Sequence, residues 1–579
     1  MANIRISSIK VVIVRYLQLL VGVTGAGLVG VSLGMTGPIA AATQPPPATA
    51  ASSVAASAPT GGPSKIKVKW DWTMPPSMID KTTFVEATQS TIPGPDGIPD
   101  SPMKAVPGYP QAGKARYGTI PDDNKHLVML HGDRSSGVGR LSCTWTIKSK
   151  PQVKRANRNC VKPLAVRLPE GTHRLTLKVR DRNGAKALSS QITVKNVLMN
   201  IMGDSYASGE GFPPFHGPDV DGRPTTAWDE PACNRSRWSG FVRSALAVEE
   251  ADKRSNVTLI DVACAGAQVE EAAEVGVSAS GGLLSPQQQL VPNTLSGNYM
   301  PPQVDQLRAI AKKRSWDVSL LSIGGNDVGL SPIIKTCLVD DVIIGKGNCY
   351  MLPVAGSTST RPLYEVVDDS LTVVQQRFAA LAPCFGAKGG DANCATVKVV
   401  NNAPAANATP SKPVKFGSIK NMVQAMYPDL TQQPDGSGGT TACTLTNPLS
   451  TPLNPVDNTW AYGALYQGQV GKPIPLPTTF TEYTTPNPNP VVPTEPGLVP
   501  ILKNNRSTYG WRIGLSLLRA SHPHGVCAPD AWEYGVNDVA TNPVNNPSAA
   551  LHPNDEGQAQ YEKMLGPISV KIAGVPVKR

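Results

Sequence analysis

At 579 residues the chain is too long for one ordinary hydrophobic core, and two or more domains are expected. Charged residues make up only 17% while Gly and Pro number 53 and 55, a composition that suits a loop-rich exported protein better than a cytosolic one. The formal charge of +11 falls by three once Arg5, Lys10 and Arg15 are assigned to a leader; the remaining Lys and Arg are dispersed, which argues against nucleic acid, whose phosphates demand a concentrated basic face, and leaves an anionic cell surface as a compatible target.

Residues 1–15 are basic, 16–37 mostly apolar, and Ala40, Ala41 and Ala42 supply small residues for cleavage. Residues 1–42 therefore predict a signal peptide and a secreted, extracellular or periplasmic protein. The apolar stretch exceeds the usual length, so an uncleaved membrane anchor is the alternative. Residues 43–64, rich in Pro, Ala, Ser and Thr, predict a disordered linker.

Residues 65–196 carry short β-type runs at 65–72, 126–131, 143–147, 173–179 and 191–195, separated by turns with Gly or Asp. They predict a small all-β sandwich. Its segment 168–181, Leu-Pro-Glu-Gly-Thr-His-Arg-Leu-Thr-Leu-Lys-Val-Arg-Asp, resembles the Ig-like, PKD-like modules of secreted bacterial enzymes. Trp70, Trp72 and Trp145 are expected in the sandwich core rather than facing a ligand.

From Val197 the pattern changes. Residues 197–202, 257–262 and 318–323 are apolar without strict alternation, as for strands buried on both faces, and 397–400 and 422–427 are weaker candidates. Helices are predicted over 237–254, 302–313, 364–381 and 554–565, the last capped by Asn554. This alternation implies an α/β domain over 197–579 with helices on both faces of a parallel sheet. Regular pattern disappears over about 436–504, a Pro-, Thr- and Asn-rich insertion beside the site or on the surface.

The ten cysteines are Cys143, Cys160, Cys233, Cys264, Cys337, Cys349, Cys384, Cys394, Cys443 and Cys527. An even number in an exported chain favours disulfides, and without a C-x-x-C spacing no zinc site is expected. Sequence does not fix connectivity. Pairing neighbours gives 143–160, 233–264, 337–349, 384–394 and 443–527.

Four blocks carry the chemistry: Gly203, Asp204 and Ser205 directly after an apolar strand; Gly266; Gly324, Gly325, Asn326 and Asp327 after another; and His552, Pro553 and Asn554. In this order they resemble the SGNH, or GDSL-type, serine hydrolase superfamily over roughly residues 197–579. The resemblance implies a flavodoxin-like three-layer fold, a secreted lipase- or esterase-like activity without cofactor or metal, and disulfides at Cys233/Cys264 and Cys337/Cys349.

The residues alone support the same chemistry. Ester cleavage needs a hydroxyl deprotonated as it attacks, a base, and donors for the oxyanion. Ser205 supplies the hydroxyl and His552 the imidazole base. The N–H groups of Ser205 and Gly266 and the amide of Asn326 can face the oxyanion. Ala207 stands where the G-x-S-x-G elbow needs glycine, against an α/β-hydrolase. The superfamily places Asp three residues before its histidine, where this chain has Ala549. The Ala549 backbone carbonyl is the expected orienting group, with Asn546, Ser548 and Asp538 as weaker candidates. Asp204 and Asp327 are read as loop-shaping acceptors and Ser208 as too far into the loop to attack. His216, His522 and His524 lack a ligand pattern.

The sequence thus predicts an esterase or lipase acting through an acyl-enzyme on a lipid, an acylated glycan or a small ester, with a polymer or cell surface as target of the sandwich. A polysaccharide O-acetyl esterase is the enzymatic alternative, and a non-catalytic surface-binding protein on a hydrolase scaffold the other.

Overall fold

The computed structural model describes residues 66–75, 125–149, 152–211, 216–220, 223–226, 231–236, 238–270, 281–291, 294–311, 314–330, 333, 336–337, 349–354, 360–387, 393–437, 439–443, 460–467, 497–535 and 549–575. The expected leader (1–42) and linker (43–64) lie outside them.

Among the described residues seven strands come first: β1 (Asp71–Thr73), β2 (Lys125–His131), β3 (Ser142–Ser149), β4 (Gln152–Asn159), β5 (Leu164–Pro169), β6 (Gly171–Asp181) and the long β7 (Gly184–Gly203). One sheet has the order β1-β2-β5 and is antiparallel throughout. In the other, β4, β3, β6 and the first half of β7 pair antiparallel. The apolar faces of β2, β3 and β6 bury Val128, Leu130, Trp145, Ile147, Leu175 and Leu177 in one core. Trp72 and Trp145 are buried in it, and Trp70 meets Trp145 edge to face at 5.4 Å. Residues 65–72, expected as a strand, contribute only the start of β1 and a bridge from Lys67 to Ser136. β4 was not expected, because Gln-Val-Lys-Arg-Ala-Asn-Arg-Asn is too polar for its alternation to register, and an edge strand tolerates that.

β7 does not stop where the composition changes. Its residues 184–191 are exposed, 192–194 alternate, and Asn196–Gly203 are continuously buried. Val194 still pairs with β6, whereas Lys195 already pairs with Ser255 of β8 (Ser255–Asp261). Farther on, Met199–Gly203 pair with β9 (Val318–Ser322). The boundary expected between residues 196 and 197 thus falls inside one strand. Asn196 holds that point: its N–H donates to Glu170 (2.9 Å), its amide to Asn256 Oδ1 (2.8 Å), and Arg314 reaches its carbonyl (3.0 Å).

β10 (Met422–Ala425) and β11 (Arg512–Gly514) complete a parallel set, β8-β7-β9-β10-β11. In chain order that is 2-1-3-4-5. The central sheet is therefore mixed, antiparallel at one end and parallel at the other, within an α/β architecture that also has small antiparallel hairpins. One hairpin joins Ala395–Val400 to Ala403–Pro410, so 397–400, expected in the parallel sheet, lies outside it. Its burial alternates, and only strands covered on both faces belong in a parallel layer.

Helices among the described residues include α1 (Ser205–Ser208), α2 (Gly240–Ala251), α3 (Gln303–Ala311), α4 (Leu363–Leu381), α5 (Leu498–Tyr509), α6 (Leu515–Ser521) and α7 (Asp555–Ala573). α5 begins inside the stretch read as patternless. Its Pro and paired Asn residues mask the buried Leu498, Val499, Ile501 and Leu502. α2 and α7 pack together, with Phe241 against Tyr561 at 5.2 Å and the Gly240 N–H on Gln558 at 2.8 Å. Disulfides join Cys143–Cys160, Cys233–Cys264, Cys337–Cys349, Cys384–Cys394 and Cys443–Cys527. No helix among the described residues is long and apolar enough to cross a membrane.

Candidate active site

β7 ends beside β9 at a spacing only glycine allows. A Cβ on Gly203 would lie 1.8 Å from the Ser322 carbonyl oxygen, and its φ of 125° is closed to other residues. Gln303 clamps this glycine from both sides, accepting from its N–H (2.7 Å) and donating to its carbonyl (2.9 Å). The Asp204 N–H donates to Ser322 O at 2.9 Å, and the Asp204 carboxylate caps α1 by accepting from Tyr206 N. Ser205 is thereby fixed at the first position of α1, at the C-terminal edge of the parallel strands, 7% exposed.

The loops after β8 and β9 are laced to this turn. Cys264 N–H donates to Gly203 O (2.9 Å), which leads the chain to Gly266 at φ 77°. The Asn326 amide donates to Ala267 O at 3.0 Å, and Gln268 donates back to Asn326 O at 2.9 Å. An amide NH2 has two hydrogens, so this bond orients the group and leaves one for a ligand. Asp327 accepts from Val269 N–H (3.0 Å) and from Arg377 (2.8 Å), joining the two loops from beneath. Ser205, Gly266 and Asn326 are thus brought together.

His552 enters from the last loop. Leu551 before it has φ 62°, a left-handed conformation uncommon for a large side chain. It is held there by Tyr206, whose phenol donates to Leu551 O at 2.8 Å, and by its own N–H on Tyr534 O at 2.8 Å. The imidazole packs 5.4 Å from the Tyr206 ring, and a Cβ on Gly211 would lie 2.7 Å from that of His552. His552 is therefore pressed onto both flanks of the turn carrying Ser205. Among the described residues no hydrogen bond joins the Ser205 hydroxyl to the ring.

The carbonyl that faces the ring is displaced by one residue from the sequence expectation. Ala549 O accepts the backbone N–H of His552 at 3.0 Å, which closes the turn. The ring Nδ1 instead faces Ala550 O at 3.0 Å. With Nδ1–H donating there, Nε2 carries the lone pair. Asn546, Ser548 and Asp538 lie outside the described residues. After the cap, Asn554 accepts from Gly557 N–H (3.0 Å) and donates to Ala531 O (2.7 Å), which starts α7 directly behind the histidine.

Burial sets the electrostatics. Asp204 is pushed up to about 7 by loss of solvent, although the Tyr427 phenol and Tyr206 N–H oppose this. Asp327 rises to about 6 for the same reason, against the pull of Arg377. Glu533, next to the loop of His552, is fully buried and pushed well above the carboxylate range. Ser208 donates its hydroxyl to Ser205 O at 3.1 Å and is buried within α1. His522 bonds Asp429 at 2.6 Å, and His524 stacks on Trp532 at 4.2 Å. The side chain of His216 lies outside the described residues, among which no group of three or more metal-ligating side chains occurs.

Sequence reading missed Glu210, Gln303, Tyr427 and Arg377. Each acts across a long separation, Tyr427 bonding Asp204 from 223 residues away. No family model and no curated protein matches the chain. Among solved structures, a carbohydrate esterase described as having divergent catalytic and non-catalytic binding functions in its active site overlaps 44% of this chain and 68% of its own, at 12% identity and a TM-score of 0.14. A likeness at that score carries no argument, and the site is read from its own residues.

Proposed function

We propose that this protein is an exported serine esterase, an SGNH-type hydrolase that cleaves carboxylic esters through an acyl-enzyme. The observation that carries the reading is the bond of His552 Nδ1 to the Ala550 carbonyl, which in the neutral ring leaves the Nε2 lone pair to accept a proton, on a ring pressed against the Ser205 turn. The strand order 2-1-3-4-5 supports a flavodoxin-like layer, with Ser205, Gly266 and Asn326 beyond the C-terminal ends of β7, β8 and β9, where such sheets bind ligands. The antiparallel sheets before it are read as the Ig-like module, directed to a polymer or cell surface.

In this mechanism Ser205 Oγ attacks the ester carbonyl while its proton passes to His552 Nε2. The N–H groups of Ser205 and Gly266 and the Asn326 amide receive the oxyanion. The imidazolium then protonates the departing alkoxide, and water repeats the sequence on the acyl-enzyme. Catalytic hydrogen bonds are often long without substrate and tighten on binding, which accommodates the open contact between Ser205 and His552. The five disulfides suit an oxidising compartment.

The test is hydrolysis of p-nitrophenyl esters of graded chain length by the protein and by Ser205→Ala and His552→Ala. Both variants are expected to lose at least about 10³-fold in kcat, within the range seen when such a pair is broken. Wild-type turnover equal to that of Ser205→Ala removes the nucleophile assignment.

A further inference from the structure

We infer that Glu210 is the carboxylate that serves His552 in place of the absent aspartate, and that it does so from the Nε2 side of the ring. The inference rests on the reading of Ser205 and His552 as nucleophile and base. The chain has Ala549 where the aspartate would stand, and Nδ1 is occupied by a neutral carbonyl. Yet a carboxylate is present: Glu210 Oε2 lies 3.6 Å from His552 Nε2. Glu210 is 7% exposed, and its backbone N–H donates to Ser205 O at 3.0 Å, so acid and nucleophile belong to one turn. Its other oxygen, Oε1, accepts from Asn234 Nδ2 at 2.7 Å. Asn234 adopts φ 49° and follows Cys233, which is bonded to Cys264 on the loop of Gly266. One disulfide therefore steadies both the oxyanion loop and the residue that aims Glu210.

The geometry gives the carboxylate a stage-dependent effect. With the ring neutral, Nε2 has a lone pair, and an ionised Glu210 offers it no hydrogen bond. As Ser205 attacks, the Oγ–H bond breaks, the proton binds Nε2 and the carbonyl π electrons move to oxygen. The ring is then a cation with an N–H beside an anionic oxygen in a water-poor site. Glu210 stabilises that state more than the neutral one, which accelerates the step rather than tightening substrate binding. When the tetrahedral centre collapses, the Nε2 proton passes to the leaving alkoxide as the C–O bond breaks. Glu210 acts through the ring, as a positioning and charge-compensating residue.

The experiment compares kcat and KM for p-nitrophenyl acetate in the full protein and in Glu210→Ala, Glu210→Gln and Glu210→Asp, with Ser205→Ala as blank. Glu210→Ala is expected to lower kcat by about 10- to 100-fold, at or below the foot of the range for a whole general base, with KM within about twofold. Glu210→Gln is expected to fall at least as far: with Asn234 holding its oxygen, its NH2 faces Nε2 and occupies the lone pair Ser205 needs. Glu210→Asp, which keeps the charge, is expected to recover part of the loss, a pattern that a merely structural glutamate would not produce. Should the Glu210 variants fail to fold, Asn234→Ala releases the carboxylate without removing it and is expected to lower kcat while sparing KM. An active wild type matched by Glu210→Ala, or one in which only KM moves, overturns this inference and leaves the esterase reading standing. Activity no greater than the Ser205→Ala blank takes both down.

Discussion

The phenol of Tyr427 donates to the carboxylate of Asp204, the residue that caps the helical turn of Ser205. The same oxygen accepts the Gly325 N–H at 2.9 Å, so one hydroxyl ties the Ser205 turn to the loop of Asn326. Tyr427→Phe removes both bonds at a buried site. It is expected to cost about 1–3 kcal/mol, the usual cost of orphaned buried polar groups, and to lower kcat through Asn326. Thermal denaturation and ester turnover of the same preparation check the two effects.

Stability should fall as pH rises across the neutral range. Burial raises Asp204 and Asp261 to about 7 from an ordinary 3.8. A carboxyl with a raised folded value contributes stability that is fully present below about 4 and lost as pH passes 7, because the fold prefers the protonated form. His522, raised by its bond to Asp429, works in the same direction. Asp71, held low by bonds from Arg254 and Lys253 although partial burial opposes them, works in the opposite one, and its contribution is lost in strong acid. The melting temperature is expected to be higher at pH 5 than at pH 8, with Asp204→Asn flattening the difference. A rise from pH 5 to pH 8 contradicts the assignment of these buried acids.

Placing an aspartate at position 549, where the proposed SGNH reading would have one, is expected to fail. Ala549 is 1% exposed, and its carbonyl already closes the turn on His552 N–H. A carboxylate there meets a desolvation cost of several kcal/mol per ion while Nδ1 remains satisfied by Ala550. Ala549→Asp should melt earlier without higher turnover, and a strong gain in kcat would show that the carbonyl is an inadequate substitute.

Gly211 tests the seating of His552. With φ at 105° and the His552 Cβ 2.7 Å from where a side chain would begin, Gly211→Ala strains the backbone and pushes the imidazole away. About 1–3 kcal/mol of stability is expected to be lost through the dihedral. Turnover should drop by about 100-fold, since displacements near 1 Å reach that size. A variant with wild-type kcat would show that the ring does not depend on this contact.

What could be read from sequence followed from how local each signal is. The buried runs of β7, β8 and β9 announce themselves through mostly apolar residues without strict alternation, β10 announces itself more weakly, and glycines mark the ends of β7 and β9. β11 is three residues long, Arg-Ile-Gly, and too short to carry a period. The Nδ1 partner was missed by one position because the choice between Ala549 and Ala550 depends on which carbonyl the turn consumes, a matter of dihedral angles at Leu551. Glu210 and Gln303 were invisible for a different reason. Each makes its decisive contact with a residue about 100 or more positions away, and an isolated polar side chain gives no local sign of where the fold will carry it.

β7 crosses from the antiparallel to the parallel part of the sheet without leaving extended conformation, pinned at Asn196 by Glu170, Asn256 and Arg314. A module threaded into its neighbour this way is no detachable cassette. Cutting at that asparagine would sever a beam in mid-span: residues 184–194 would stay with β6, while the buried half that pairs with β8 and β9 and leads to Ser205 would lose its root. Any graft of the front portion onto another protein has to carry the whole of β7 across, and with it the turn of Ser205.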